Sequence, residues 1–250
     1  MPEKDNTLVL ESTEQLWDTR TRRSFLKLMG IGGTMVLLPS MLTSCDDDDL
    51  DPIGGGGPGT GSTVTIDFAK KDIAVLQFAF ALEQLEADFY TRVANGFGAS
   101  GLSAAEQAIF ADIRNHEVIH RDTLRTVLTP ANSFTLTPTY PNVNFSSRTS
   151  ILGTAQAFED LGVRAYNGAG QYLTNFANLE VAGKIVSVEA RHASTISDLI
   201  SPDTAAFAPT AFDDAFSPQK VAGIAQGFIV DKLAFAGNIP AFVQGPNANG

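Results

Sequence analysis

The sequence predicts an all-α fold of four long helices and a shorter fifth. Three observations carry this: an unbroken helical periodicity from Asp67 to Ala94, a capping box at Ser103 and Glu106, and a pattern of Glu and His that occurs twice in the same order. The composition allows it. The 250 residues are 44% hydrophobic and 18% charged, which is globular rather than disordered and sufficient for one domain with a full core.

In the first helix Ile73, Leu76, Phe80, Leu82, Leu85, Phe89 and Val93 recur at helical spacing with neither Pro nor Gly between them. A second helix starts after Ser103, whose partner Glu106 completes the capping box, and runs to about Leu128, before Thr129-Pro130. Residues 129–147 hold Pro130, Pro138 and Pro141 among Thr, Asn and Ser, and read as an irregular connection. The third helix, Ser147 to about Phe176, is interrupted by Gly153, Gly162, Gly168 and Gly170; the fourth runs from about Leu179 to Ile200 and stops before Ser201-Pro202. Ser217-Pro218 puts an N-cap before a Pro at the first helical position, opening a short fifth helix towards Val230.

Ahead of the helices the chain reads as an address. The apolar run Leu28–Leu42 contains Gly30, Gly32, Gly33 and Pro39; it is too short to span a bilayer but suits the core of a secretory signal. Arg22-Arg23-Ser-Phe-Leu-Lys27 resembles a twin-arginine export signal, and Leu42-Thr43-Ser44-Cys45 resembles a lipobox, in which the Cys becomes the lipidated first residue. Residues 1–44 are thus expected to be a signal peptide, with Cys45 anchoring an exported protein to a membrane in the periplasm or on the cell surface. A buried apolar helix with a spectator Cys is the alternative. Asp46–Asp49 and the Gly-rich 54–62 stretch make residues 45–65 a tether with a reach of roughly 25 Å. The folded domain follows at 66–235, with a tail at 236–250.

Charge and scarce residues narrow the chemistry. Lys plus Arg number 17 against 28 Asp plus Glu, a net charge of −11, so no basic footprint exists for nucleic acid. Residues 1–44 hold five basic and five acidic residues, so the acidity belongs to the domain. One Cys and three His exclude a disulfide framework and Cys-rich zinc or iron–sulfur sites. Carboxylates and at most three imidazoles remain.

Laying the first helix on the third matches Ala81-Leu-Glu83 through Tyr90 with Ala157-Phe-Glu159 through Tyr166. Glu and Tyr seven residues apart lie nearly on one line, since seven residues turn a helix by about 700°. The second and fourth helices match as Glu117-Val-Ile-His120 and Glu189-Ala-Arg-His192, each followed by a Thr three places on. At i and i+3 a carboxylate and an imidazole converge on one ion, and a Glu from each of the other helices can bridge or cap it. Four Glu and two His suit two metal ions, whose charge offsets carboxylates that are costly to bury together. Four solvated surface carboxylates are the competing reading. Glu86 competes with Glu83, but its counterpart is Gly162, which makes Glu86 a surface or supporting group; His116, opposite Val188, is read in the same way. Tyr90 and Tyr166 either bond the ligand carboxylates, pass electrons, or simply fill the core.

At these residues the chain resembles the ferritin-like superfamily, and within it the bacterial and plant desiccation-related ferritin-like proteins. Phe78–Tyr90, Phe158–Tyr166 and Val188–Ser194 carry the resemblance, which spans roughly residues 66–235. It implies a four-helix bundle with a long crossover between helices two and three. The geometry agrees: about eighteen extended residues reach up to roughly 59 Å, while a 24-residue helix is about 36 Å long.

The reading is an exported, lipid-anchored protein holding two Fe or Mn ions at Glu83, Glu117, His120, Glu159, Glu189 and His192. Fe(II) oxidation by dioxygen or peroxide, or peroxide removal, is the chemistry such a site serves, and the ligand set does not select among them. A non-catalytic stress or envelope protein that keeps the bundle is the alternative. His116-Glu117-Val-Ile-His120 also fits the zinc-peptidase pattern, which leaves the second Glu-x-x-His copy unexplained. Oligomeric state is not legible in the sequence.

Overall fold

A computed structural model describes residues 7–10, 34–37 and 61–245. The chain divides into two units, Met1–Gly57 and Pro58–Gly250. In the first, strands β1 (Thr7–Leu10) and β2 (Thr34–Leu37) pair in parallel, with Thr7 opposite Thr34. The twin-arginine stretch, Cys45 and the Asp46–Asp49 run lie outside the described residues. Among the described residues no helix is long and apolar enough to cross a membrane.

The second unit holds helices α1 (Asp72–Asn95), α2 (Ala104–Asn132), α3 (Arg148–Ala169), α4 (Phe176–Ile200) and the short α5 (Pro218–Ala225). It is the ferritin-like bundle anticipated above, with α1 packed mainly on α2, α3 on α4, and residues 133–147 crossing between the two pairs. Both halves of the capping box form: Ser103 Oγ accepts from the Glu106 N–H at 3.3 Å, and Glu106 accepts from the Ser103 N–H at 2.8 Å. At Thr129 the backbone leaves helical geometry (φ 62°) because Pro130 follows, and one further turn completes α2.

Several boundaries differ from the sequence expectation: the fifth helix, expected to run towards Val230, stops at Ala225 and passes into a 3-10 turn, Gln226–Phe228. Asp67 does not open α1; it caps a single 3-10 turn, Phe68–Lys70, and α1 begins at Asp72. Residues 63–65, counted with the tether, belong to β3 (Thr63–Asp67), which pairs in parallel with β4 (Lys232–Ala236) and joins the two ends of the domain. The third helix ends at Ala169 and a 3-10 turn, because Asn175 starts a new helix by accepting the Ala177 N–H at 2.9 Å. Asp72 reinforces that start, accepting from Thr174, Asn175 and Asn178 at 2.6–3.0 Å. Burial opposes its charge, yet these bonds prevail and hold its carboxyl at about 2.

Phe89, Tyr90, Phe110, Tyr140 and Phe158 pack one end of the bundle; Phe68, Phe78, Phe80, Leu76, Leu124, Ala165 and Ala169 pack the other. A Cβ on Gly168 would lie 1.8 Å from the carbonyl oxygen of Phe216, a backbone atom that cannot rotate away. Gly168→Ala is therefore expected to destabilise the fold by about 1–3 kcal/mol despite a better helix propensity of roughly 1 kcal/mol. Urea unfolding reads this directly, and an unchanged or raised midpoint would refute the close approach.

Candidate metal centre

The amphipathic periodicity that buries one face of each helix also buries four carboxylates at mid-bundle. Glu83 on α1, Glu117 on α2, Glu159 on α3 and Glu189 on α4 are all 0% exposed, and His120 and His192 are buried beside them. Glu83, Glu117, His120 and Glu189 offer atoms within 4.8 Å of one another, and so do Glu117, Glu159, Glu189 and His192. Glu117 and Glu189 belong to both groups. Glu83 with His120, and Glu159 with His192, belong to one group each.

The contacts come in mates. His120 Nδ1 lies 3.1 Å from Glu189 and 3.5 Å from Glu83; His192 Nδ1 lies 2.9 Å from Glu117 and 3.3 Å from Glu159. The tyrosines cross between halves, Tyr90 donating to Glu159 and Tyr166 to Glu83 at 2.5 Å. Residue 83 thus meets 166 while 90 meets 159, so α1 and α3 run antiparallel; 117 with 192 and 120 with 189 show the same for α2 and α4. The duplicated sequence order becomes an approximate two-fold axis through the site.

Each tyrosine fixes the carboxylate of the opposite half, as groups supporting metal ligands do. Tyr90→Phe and Tyr166→Phe are expected to weaken metal affinity about 10–100-fold each. Competition with a chelator of known affinity measures it; unaltered affinity in both variants would assign the tyrosines to packing alone.

Eight buried polar atoms here have no partner beyond the carboxylate–imidazole contacts of the cluster itself: Glu83 Oε2, both oxygens of Glu117 and of Glu189, Glu159 Oε2, and Nδ1 of His120 and His192. Burial raises Glu83 to about 7 and pushes Glu159 and Glu189 upward too, with neighbouring carboxylates adding to the rise. Burial also opposes charge on Glu117, but the imidazoles of His120 and His192 prevail and hold it at about 2. In return the carboxylates overcome the burial of the imidazoles, raising His120 to about 12 and His192 to about 10. Protons compensate such a cluster only in part. Two divalent cations match four carboxylates in charge and give the converging atoms partners, so the residues present fit a metal pair.

Two positions break the symmetry. Glu86 is buried, not at the surface; desolvation, then the charges of Glu189 and Glu117, favour its neutral form. A Cβ on its counterpart Gly162 would lie 3.1 Å from Glu86 Oε1 and 3.0 Å from Glu189 Oε2, so the glycine leaves space for the fifth carboxyl. His116 is exposed, and its Nδ1 lies 2.9 Å from His192 Nε2, so His192 is held through both ring nitrogens. His116, His120 and His192 line a surface groove of about 420 Å³ between α2 and α4. Among the described residues, no converging group of three or more ligands includes His116, which a zinc-peptidase site would need.

A family model described as a ferritin-like domain matches residues 71–202, the segment that carries all six candidate ligands and both tyrosines. No curated protein matches the chain.

Proposed function

The chain belongs to the ferritin-like domain family, and on that footing we propose that it is an exported, lipid-anchored protein whose bundle holds a carboxylate-bridged pair of Fe or Mn ions for redox protection during desiccation or oxidative stress. The observation that carries the reading is the set of eight buried polar atoms that converge from four helices with no partner outside their own cluster. Glu117 and Glu189 would hold both ions; Glu83 with His120, and Glu159 with His192, would each complete one side. Tyr90 and Tyr166 fix the outer carboxylates. Bound iron or manganese supplies one-electron redox chemistry towards dioxygen or peroxide. The lipobox Cys45 and the twin-arginine stretch support export and anchoring; Cys45→Ser is expected to move the protein out of the membrane fraction.

The test is metal analysis of the purified protein after anaerobic loading, followed by dioxygen or peroxide consumption. About two Fe or Mn per chain is expected, with turnover lost in Glu117→Ala and Glu189→Ala. Retained metal without turnover would point instead to a non-catalytic envelope protein. One zinc with peptidase activity indifferent to Glu189→Ala would favour the His116-Glu117-Val-Ile-His120 reading.

A further inference from the structure

The two-fold symmetry of the site fails at its ends in a way that bears on access. Tyr90, which holds Glu159, is sealed: it is fully buried, with its ring centroid 5.1 Å from Phe89 and 5.5 Å from Phe110. Its counterpart Tyr166 donates to Glu83 yet is only half-buried, and Leu76, Phe78, Ala79, Ala165 and Ala169 stand near it. A cavity of about 20 Å³ lies among these side chains, closed by Leu124 of α2 and by α4. Its inner wall includes Leu82 and Ile185, the first adjacent to Glu83 and the second one turn before Glu189; its outer wall includes Ala182, which is half-buried.

Size and polarity select the occupant. An apolar cavity of this size admits about one small molecule, favours an apolar guest over water, and is far too small for an acyl chain. A metal cation or peroxide would lose hydration on entering without gaining a partner. Polar species have a different approach, the groove lined by His116, His120 and His192. We infer that this cavity binds a small apolar molecule of the dioxygen class and conducts it to the Glu83–Tyr166 side of the centre. Its use rests on the metal reading above; its occupancy does not.

Xenon, an apolar probe of similar size, separates the two. Crystals of the full protein under xenon pressure are expected to show xenon between Leu82, Ala165 and Ile185, and absence of xenon there overturns the inference. Ala182→Phe, at the half-buried outer wall, and Ala165→Val, inside, are expected to displace the xenon. In the Fe(II)-loaded protein both are expected to lower kcat/KM for dioxygen about tenfold, with iron content unchanged. Unaltered dioxygen kinetics in both variants after xenon is displaced would overturn the access route. A chain that binds xenon but no metal would leave the cavity assignment standing and remove the proposed function.

Discussion

Replacing either shared carboxylate is expected to cost the protein both ions: Glu117→Ala or Glu189→Ala falls from about two metals per chain to almost none. Glu83→Ala and Glu159→Ala, each removing a ligand that faces one ion, are expected to retain about one. The asymmetry follows from membership, since Glu117 and Glu189 lie in both ligand groups and Glu83 and Glu159 in one each. Glu117 carries a second role. It is the carboxylate that both imidazoles hold ionised, so its loss also leaves His120 and His192 without their common partner. Metal analysis at saturating Mn(II) reads the result, and equal losses from all four variants would refute the division into shared and outer ligands.

The second large effect is on stability. If each ion is present at 100 times its dissociation constant, binding adds about 2.7 kcal/mol per site. For a domain of this size two sites are then expected to raise Tm by roughly 10–20 °C, and a chelator to reverse it. The effect depends on pH with a definite sign. Glu83 titrates near 7 in the folded chain, above its ordinary value of 4.5, so the folded state binds that proton more tightly. The stability it contributes is complete below pH 4.5 and lost as pH rises through 7. His120 and His192, raised to about 12 and 10, act in the same direction above pH 6.5. Glu117 acts oppositely but only between about 2 and 4.5. The metal-free protein should therefore weaken from pH 5 to 8, while metal, which must displace these protons, binds more tightly. The Tm difference between loaded and chelated protein is expected to widen over that range in calorimetry; a pH-independent difference would contradict the electrostatic account.

What was legible in the sequence is what helical geometry determines locally. The i, i+3 and seven-residue spacings brought Glu83, Glu117, His120, Glu159, Glu189 and His192 onto inward faces, and the duplication preferred Glu83 to Glu86 as the candidate ligand. Which carboxylates are shared was not legible, because it depends on antiparallel pairing across the bundle and on depth along it. Glu86 illustrates the limit: its burial is made possible by a missing side chain at Gly162, on another helix 76 positions away. His116 acquires its partner His192 in the same non-local way. The β3–β4 pair was open to inspection in one strand only, where Thr63-Val-Thr-Ile alternates; its mate lies at the far end of the domain. The early start of α4 had a local signal, Asn175 as an N-cap, outweighed by the apparent continuity of the glycine-interrupted helix before it.

An anomalous diffraction map of crystals saturated with Mn(II) or, anaerobically, Fe(II) tests the metal pair by locating it. Two peaks flanked by Glu117 and Glu189 are expected, one on the side of Glu83 and His120 and the other on the side of Glu159 and His192. A single peak between His116 and His120, or no peak among the four carboxylates, would contradict it.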